Sequence, residues 1–122
     1  MNQNDPRQKT TQANAAGRWN LTLDPMPANA EPQLLKIGSV SIQDVLVGDV
    51  WLASGQSNME WEMQMKPDSK ADIPNATHPN LRIIEIPKTV ALTPQDNVPA
   101  FWSPCTPESV ASFSAVGYYF GL

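Results

Sequence analysis

The segment DVLVGDVWLASGQSNMEW, residues 44–61, carries the main evidence for the architecture of this 122-residue chain. Within it, residues 50–53 form a continuous apolar run that ends at Ser54 and Gly55. A short apolar run without polar alternation is typical of a strand buried on both faces, as in a parallel sheet covered by helices. We therefore predict an α/β fold in which this run is a core strand and Trp51 is a core residue.

The residues before this segment are polar at first and then show the patterns of short strands. Residues 19–23 alternate apolar and polar side chains, which predicts a half-buried strand. Residues 33–37 and 40–42 flank Gly38 and Ser39, a pattern that predicts a β-hairpin. The predicted divisions are a disordered or linker region over residues 1–16, a β-rich segment over 17–43, and the first part of the α/β domain over 44–122.

The chain after this segment is interrupted by prolines and ends in a helical pattern. Prolines break up residues 58–79, whereas residues 81–86 are rich in isoleucine and predict a second strand. Thr106 followed by Pro107 and Glu108 predicts the start of a helix. The threonine hydroxyl can cap the helix, proline suits its first position, and the glutamate interacts favourably with the helix dipole. The predicted apolar face of a single helix consists of Val110, Phe113, Val116, Gly117 and Phe120.

Composition excludes several classes of partner and site. The formal net charge is −4, which argues against a nucleic acid or an anionic membrane as partner, because both require a basic surface. No apolar run approaches the ~20 residues that span a bilayer. Cys105 is the only cysteine, so the chain can form no internal disulfide and no zinc site of the cysteine type. We predict a buried or half-buried, inert thiol, and no metal site.

Ser57 is the residue with the clearest chemical potential. It follows the predicted core strand in a tight turn that contains Gly55, and this end of the strands is where open α/β sheets place their ligands. A serine in this position can act as a nucleophile if a base is within reach, and its backbone N–H can stabilise an oxyanion. The alternative is a turn residue whose hydroxyl bonds to its own backbone. Asn58 can orient Ser57 or line a pocket, or it can form an Asx turn.

The other polar and aromatic candidates have weaker support. His78 is the only histidine, but the strand that it introduces would begin at the opposite edge of a parallel sheet from Ser57, which favours a solvated loop residue over a catalytic base. Glu60 and Glu62 can be paired carboxylates of a glycosidase, although solvated loop charges are the simpler interpretation. Trp61 directly follows the turn and is the better candidate for stacking on a sugar ring.

Residues 44–61 resemble the first block of the sialate O-acetylesterase family, within the SGNH hydrolases. Two flanks match in order, namely Gly-Arg-Trp at residues 17–19 and the helical segment at residues 113–120. The resemblance implies a flavodoxin-like parallel sheet preceded by a small antiparallel β segment. It implies that Ser57 is the nucleophile of an esterase that removes acetyl groups from sialic acid or other glycans, with Gln56 and Asn58 beside it in the oxyanion pocket. The implied partner is an O-acetylated glycan, and no metal or organic cofactor is implied.

The resemblance also implies catalytic parts that this sequence does not contain. Family members are several times longer and carry an Asp and a His near their C-terminus, and a later Gly/Asn region that helps bind the oxyanion. We therefore expect an N-terminal fragment with little or no activity, which also lacks the signal of a secreted, periplasmic or lysosomal protein. The alternatives are a non-catalytic carbohydrate-binding fragment that uses Trp61 and a poorly folding remnant.

Overall fold

The computed structural model describes residues 8–122 and divides them into two compact units, one ending at Asp49 and the other spanning Val50–Leu122. Each unit contains one two-stranded antiparallel sheet. The fold is therefore a mixture of helices and strands, as predicted, but the described residues contain no parallel sheet. None of their helices has the length and apolar character required to cross a membrane. The predicted linker over residues 1–16 lies partly outside the described residues.

The first unit is built on a β-hairpin, which confirms the prediction at Gly38 and Ser39. Strand β1 (Asn29–Ile37) pairs with β2 (Val40–Val47), and Gly38 adopts a φ of 58° in the turn, a conformation that glycine accepts without steric cost. Both strands are longer than predicted.

The predicted strand at residues 19–23 is wrong. These residues have no regular secondary structure, and Trp19 is 54% exposed. Just before them, the Asn14 carboxamide accepts hydrogen bonds from the backbone N–H groups of Ala16 and Arg18, and Gly17 adopts a φ of 73°. An alternating pattern becomes a strand only when a neighbouring strand pairs with its backbone, and no other described strand does so here.

The second unit consists of short elements. Strand β3 (His78–Ile83) pairs with β4 (Ser103–Cys105), so the predicted second strand exists but begins and ends three residues earlier than its pattern indicated. The helical elements are three 3₁₀ helices (Ser57–Glu60, Met63–Met65 and Ile73–Asn75) and the α-helices α1 (Pro67–Asp72), α2 (Pro107–Val110) and α3 (Ala115–Gly121).

Residues 50–53 do not form the predicted core strand. They have no regular secondary structure, and Val50, Trp51 and Leu52 are 78%, 70% and 90% exposed. The prediction that Trp51 is a core residue is therefore also wrong. The sequence pattern indicates which residues prefer to be buried, whereas burial itself needs neighbouring strands or helices on both faces. Residues 8–122 supply no pairing strand for this run, and its aromatic contact with helix α3 is that of Trp51 with Phe120.

The C-terminal helical pattern is split into two helices. The predicted start is confirmed: the Thr106 hydroxyl accepts from the Ser109 N–H, and the Ser109 hydroxyl accepts from the Thr106 N–H, which makes a reciprocal capping box. The helix then stops because the next backbone groups pair with the segment after Ser57. The Phe113 carbonyl accepts from the Met63 N–H at 3.0 Å, and the Ala115 N–H donates to the Trp61 carbonyl at 2.8 Å.

The hydrophobic core lies in the second unit. The split of the helix rotates α3, so Tyr118 is buried, whereas Val116 and Phe120 of the predicted apolar face are 48% and 61% exposed. The prediction of a buried Cys105 is confirmed, and burial raises the pKa of its thiol. The packed buried residues are Met63, Ala76, Cys105, Val110 and Tyr118.

Candidate functional site

The turn before Ser57 is shaped by Gly55. Gln56 is extended, with φ −110° and ψ −150°, and its carbonyl accepts from the Met59 N–H at 2.7 Å, which starts the 3₁₀ helix Ser57–Glu60. A Cβ placed on Gly55 would lie only 2.6 Å from Cγ of Met59. The absence of a side chain at residue 55 therefore lets the Met59 side chain fold back over the turn and leaves Ser57 at its outer end.

Ser57 is accessible and unengaged. It is exposed at the first position of the 3₁₀ helix, and neither its hydroxyl nor its N–H is hydrogen-bonded to another of residues 8–122. The alternative of a hydroxyl bonded to its own backbone is therefore not observed. Gln56 and Asn58 are also exposed, and the Asn58 side chain forms no Asx turn. Three polar side chains thus face solvent at one turn, with an N–H free to receive negative charge.

Three contacts hold this turn and its flanks in the second unit. Helix α3 packs against the 3₁₀ helix Ser57–Glu60, and the ring of Phe120 meets that of Trp51 edge-on, with centroids 5.4 Å apart. The Glu60 carboxylate accepts from the Lys88 ammonium at 2.7 Å, and this hydrogen bond raises the pKa of Lys88. Both partners of the ion pair are exposed, so we assign it a positioning role and little stability.

No catalytic base is in contact with Ser57 among the described residues. His78 is not the predicted solvated loop residue: it is half-buried at the start of β3, and its Nε2 lies 3.0 Å from the Tyr118 hydroxyl. Glu60 pairs with Lys88, and Glu62 accepts from the side-chain amide of Gln64. These carboxylates are therefore ordinary surface groups, and residues 8–122 bring neither them nor His78 to the serine.

A polar cluster around His78 was not predicted from the sequence. The Tyr119 hydroxyl donates to Asp72 at 2.5 Å, and this hydrogen bond raises the pKa of Tyr119 to about 12. Burial raises the pKa of Tyr118, which lies between His78 and Tyr119. A surface depression nearby is lined by residues that include His78 and Leu122 but not Ser57. Tyr118 and Tyr119 lie in the segment 113–120, but no motif joins them to Asp72 or His78, so only coordinates bring the cluster together.

Trp61 sits directly after the candidate turn and is 43% exposed. The Lys66 ammonium lies over its ring, 4.2 Å from the centroid, and therefore occupies one face. The other face is the one on which a sugar can stack, and a sugar contact at Trp61 stays a prediction. Within residues 8–122 no group of three or more His, Cys, Asp or Glu side chains is arranged to hold a metal ion.

The comparisons with known proteins identify acetylesterases as relatives of this chain. The chain is 33% identical to a sialate O-acetylesterase of Pongo abelii and 32% identical to that of Homo sapiens, in each case over 84% of this chain and 23% of the relative. A carbohydrate acetylesterase from Xanthomonas citri has a similar structure, with a TM-score of 0.82 and 34% identity over 92% of this chain and 27% of that one. No family model matches. The chain thus spans about a quarter of the length of these proteins.

Proposed function

Since this chain is homologous to the sialate O-acetylesterases over most of its length, we propose that it carries the nucleophile segment of an esterase that removes acetyl groups from sugars. The observation that supports this most directly is the geometry of Ser57, which is exposed after a glycine-dependent turn with its N–H unpaired within residues 8–122. A hydroxyl and an amide that are free at one residue can attack a carbonyl and stabilise the resulting oxyanion.

The proposed reaction is acyl transfer to water. The Ser57 hydroxyl attacks the acetyl carbonyl of the sugar ester while a base takes its proton, and the Ser57 N–H donates to the developing oxyanion. Collapse of this intermediate releases the sugar hydroxyl and leaves an acetyl-serine, which water then hydrolyses to acetate. Gln56 and Asn58, exposed on either side of the serine, are the side chains proposed to line the acetyl pocket.

The proposed base comes from polypeptide outside residues 8–122. The only histidine of the chain, His78, is engaged with Tyr118 and does not contact Ser57. In a well-studied serine protease, loss of the triad leaves only about 10³–10⁴-fold catalysis over water, supplied by the oxyanion site and by substrate binding. We therefore propose that the isolated chain is a very weak esterase and that full activity needs the remaining catalytic groups.

The test is to replace the matched region of the Xanthomonas citri acetylesterase with this chain and to measure turnover of p-nitrophenyl acetate and of an acetylated sugar. We expect turnover by the chimera, near-background turnover by the isolated chain, and a loss of about 10³-fold or more in kcat on Ser57→Ala in the chimera. Ser54→Ala is the matched control, because Ser54 is also exposed but precedes the turn. Turnover that survives Ser57→Ala, or Ser57-dependent turnover by the isolated chain at the rate of the chimera, contradicts the proposal.

A second candidate function is glycan binding without catalysis. The exposed Trp61 beside the turn favours it, because a partly exposed aromatic ring can stack on a sugar without a catalytic base. This function predicts that the isolated chain binds an acetylated glycan in calorimetry, that Trp61→Ala removes binding, and that Ser57→Ala does not. Trp102→Ala is the control, since Trp102 is 55% exposed in another segment. Binding by the isolated chain that Trp61→Ala leaves intact rules this function out.

A further inference from the structure

The longest irregular stretch of the second unit is the β3–β4 loop, defined as residues 84–102. Its ends are held together, because Ile83 pairs with Ser103 across the two strands. The loop exceeds the length of about 12–15 residues above which structureless loops are uncommon in compact domains and are usually functional. Its length therefore calls for a role beyond the connection of two strands.

The middle of the β3–β4 loop presents large apolar side chains to water. All of residues 85–99 are exposed, and among them Val90 is 97% exposed and Leu92 is fully exposed. Exposed loops are normally polar, because apolar side chains gain free energy only when they are removed from water. Two aliphatic side chains so close in sequence indicate a second position of the loop in which they are covered.

A single ion pair fastens the exposed part of the loop. The Lys88 ammonium donates to the Glu60 carboxylate at 2.7 Å. Among the residues that the structure describes, the other hydrogen bonds of residues 85–99 stay within the loop. Glu60 is the last residue of the 3₁₀ helix that begins at Ser57. The loop is thus fastened to the helix that carries the candidate nucleophile.

The reach of the chain from this ion pair includes Ser57. Val90 and Leu92 follow Lys88 by two and four residues, so extended backbone carries them as far as about 7 and 14 Å from it. Ser57 precedes Glu60 by three residues, which corresponds to about 6 Å along a 3₁₀ helix. Both aliphatic side chains can therefore reach the serine while the ion pair stays intact.

We propose that the β3–β4 loop is a lid that pivots on the Lys88–Glu60 ion pair and places Val90 and Leu92 over an acetyl group bound at Ser57. This role rests on the proposed function. An acetyl group ends in a methyl, and two aliphatic side chains bury a methyl favourably. The lid therefore selects the acyl group of the ester and not the sugar.

The motion of the lid is tested in the isolated chain, without any need for catalysis. The variant Ser57→Cys/Leu92→Cys is oxidised with glutathione disulfide, and the products are identified by mass spectrometry. We expect a disulfide between positions 57 and 92, which requires that their Cα atoms approach within about 7 Å. The variant Ser57→Cys alone is the control, because the native thiol of Cys105 is buried, and we expect no internal disulfide from it.

The pivot is tested by removal of the ion pair from this double variant. Lys88→Ala is expected to slow the formation of the disulfide about two- to fivefold, the effect of losing an exposed ion pair. The charge swap Glu60→Lys/Lys88→Glu is expected to restore the rate. A loop that reaches Ser57 only by random collision would show the same rate in all three proteins.

The contact with the acyl group is tested in the chimera with the Xanthomonas citri acetylesterase. Val90→Ala/Leu92→Ala is expected to lower kcat/KM for p-nitrophenyl acetate about tenfold, because the methyl of the substrate loses its cover. The matched control is p-nitrophenyl formate, which has no methyl, and its kcat/KM is expected to change by less than about twofold.

Three results overturn the lid: no disulfide between positions 57 and 92, a rate of disulfide formation that Lys88→Ala leaves unchanged, and an active chimera in which Val90→Ala/Leu92→Ala affects both esters equally. If the disulfide forms and depends on Lys88 but the chimera has no Ser57-dependent turnover, the result supports the lid and contradicts only the proposed function.

Discussion

At the scale of single residues, the exposure of Ser57 depends on a glycine two positions earlier. Gly55 has no unusual φ, and its importance comes from the close approach of Met59, whose Cγ would meet a Cβ at 2.6 Å. This atom can move away only if the Met59 side chain rotates about χ1 and leaves its place over the turn. Packing of Met59 on the inner side of the turn therefore stabilises the backbone conformation in which the Ser57 N–H is free.

Gly55→Ala is expected to destabilise the second unit by about 1–3 kcal/mol, the usual cost of overpacking, and to lower any Ser57-dependent turnover of the chimera. Chemical denaturation of the isolated chain measures the first effect. Gly48→Ala is the control, because a Cβ at Gly48 meets nothing within 4 Å. Equal stability of the two variants would show that Met59 moves aside without cost.

Tyr119 provides a prediction on pH dependence. Its hydrogen bond to Asp72 favours the neutral phenol and raises its pKa from 10.0 to about 12. Because the pKa is higher in the folded state than in the unfolded chain, this stabilisation is complete below about pH 10 and is lost as the pH rises towards 12. We expect the ultraviolet titration of the phenolates to include one tyrosine near pH 12 that moves towards pH 10 in Asp72→Asn. Asp68→Asn is the control, since Asp68 acts on Tyr119 only weakly and through space, and a titration insensitive to both variants contradicts the prediction.

At the scale of elements, the features that local chemistry specifies were predicted and the features that need a distant partner were not. Gly38 in its turn and Thr106 at its cap act within a few residues, and both were found as predicted. Residues 19–23 and 50–53 have strand patterns but no neighbouring strand within the described chain. The break between α2 and α3 follows from hydrogen bonds to residues about fifty positions away, which no local pattern contains.

The capping box of α2 supports a prediction at this scale. The Ser109 hydroxyl accepts from the Thr106 N–H at 2.9 Å and donates to the Pro104 carbonyl at 2.7 Å, so it ties the helix start to strand β4. Ser109→Ala is expected to cost about 1–2 kcal/mol, measured by urea unfolding, because it leaves these backbone groups unsatisfied. Ser112→Ala should cost less than about 0.5 kcal/mol, since Ser112 is exposed and makes no such bonds; similar costs for both would argue against the cap.

At the scale of the whole molecule, the two units differ in how much they bury. None of residues 8–49 is buried, so the hairpin unit has no apolar core of its own within the described residues, and two-stranded hairpins of this kind are marginal in water. The second unit has a core of few residues, among them Met63, Val110 and Cys105 as the most completely enclosed side chains. We expect measurable protection from amide exchange in the second unit and little in residues 29–47.

Because the core has few residues, the loss of one buried side chain removes a large part of it. Two neighbouring methionines allow a direct test. Met63 has no exposed surface and its N–H donates to the Phe113 carbonyl, whereas Met65, two positions later, is 51% exposed. Met63→Ala removes a fully buried side chain and is expected to cost about 2–5 kcal/mol, which is comparable to the ~3–5 kcal/mol that a single core supplies in so small a unit. Urea unfolding followed by tryptophan fluorescence should therefore show Met63→Ala largely unfolded without denaturant and Met65→Ala close to the parent chain. If both variants unfold at the parent midpoint, the core described by Met63 and Val110 is not what holds the second unit together.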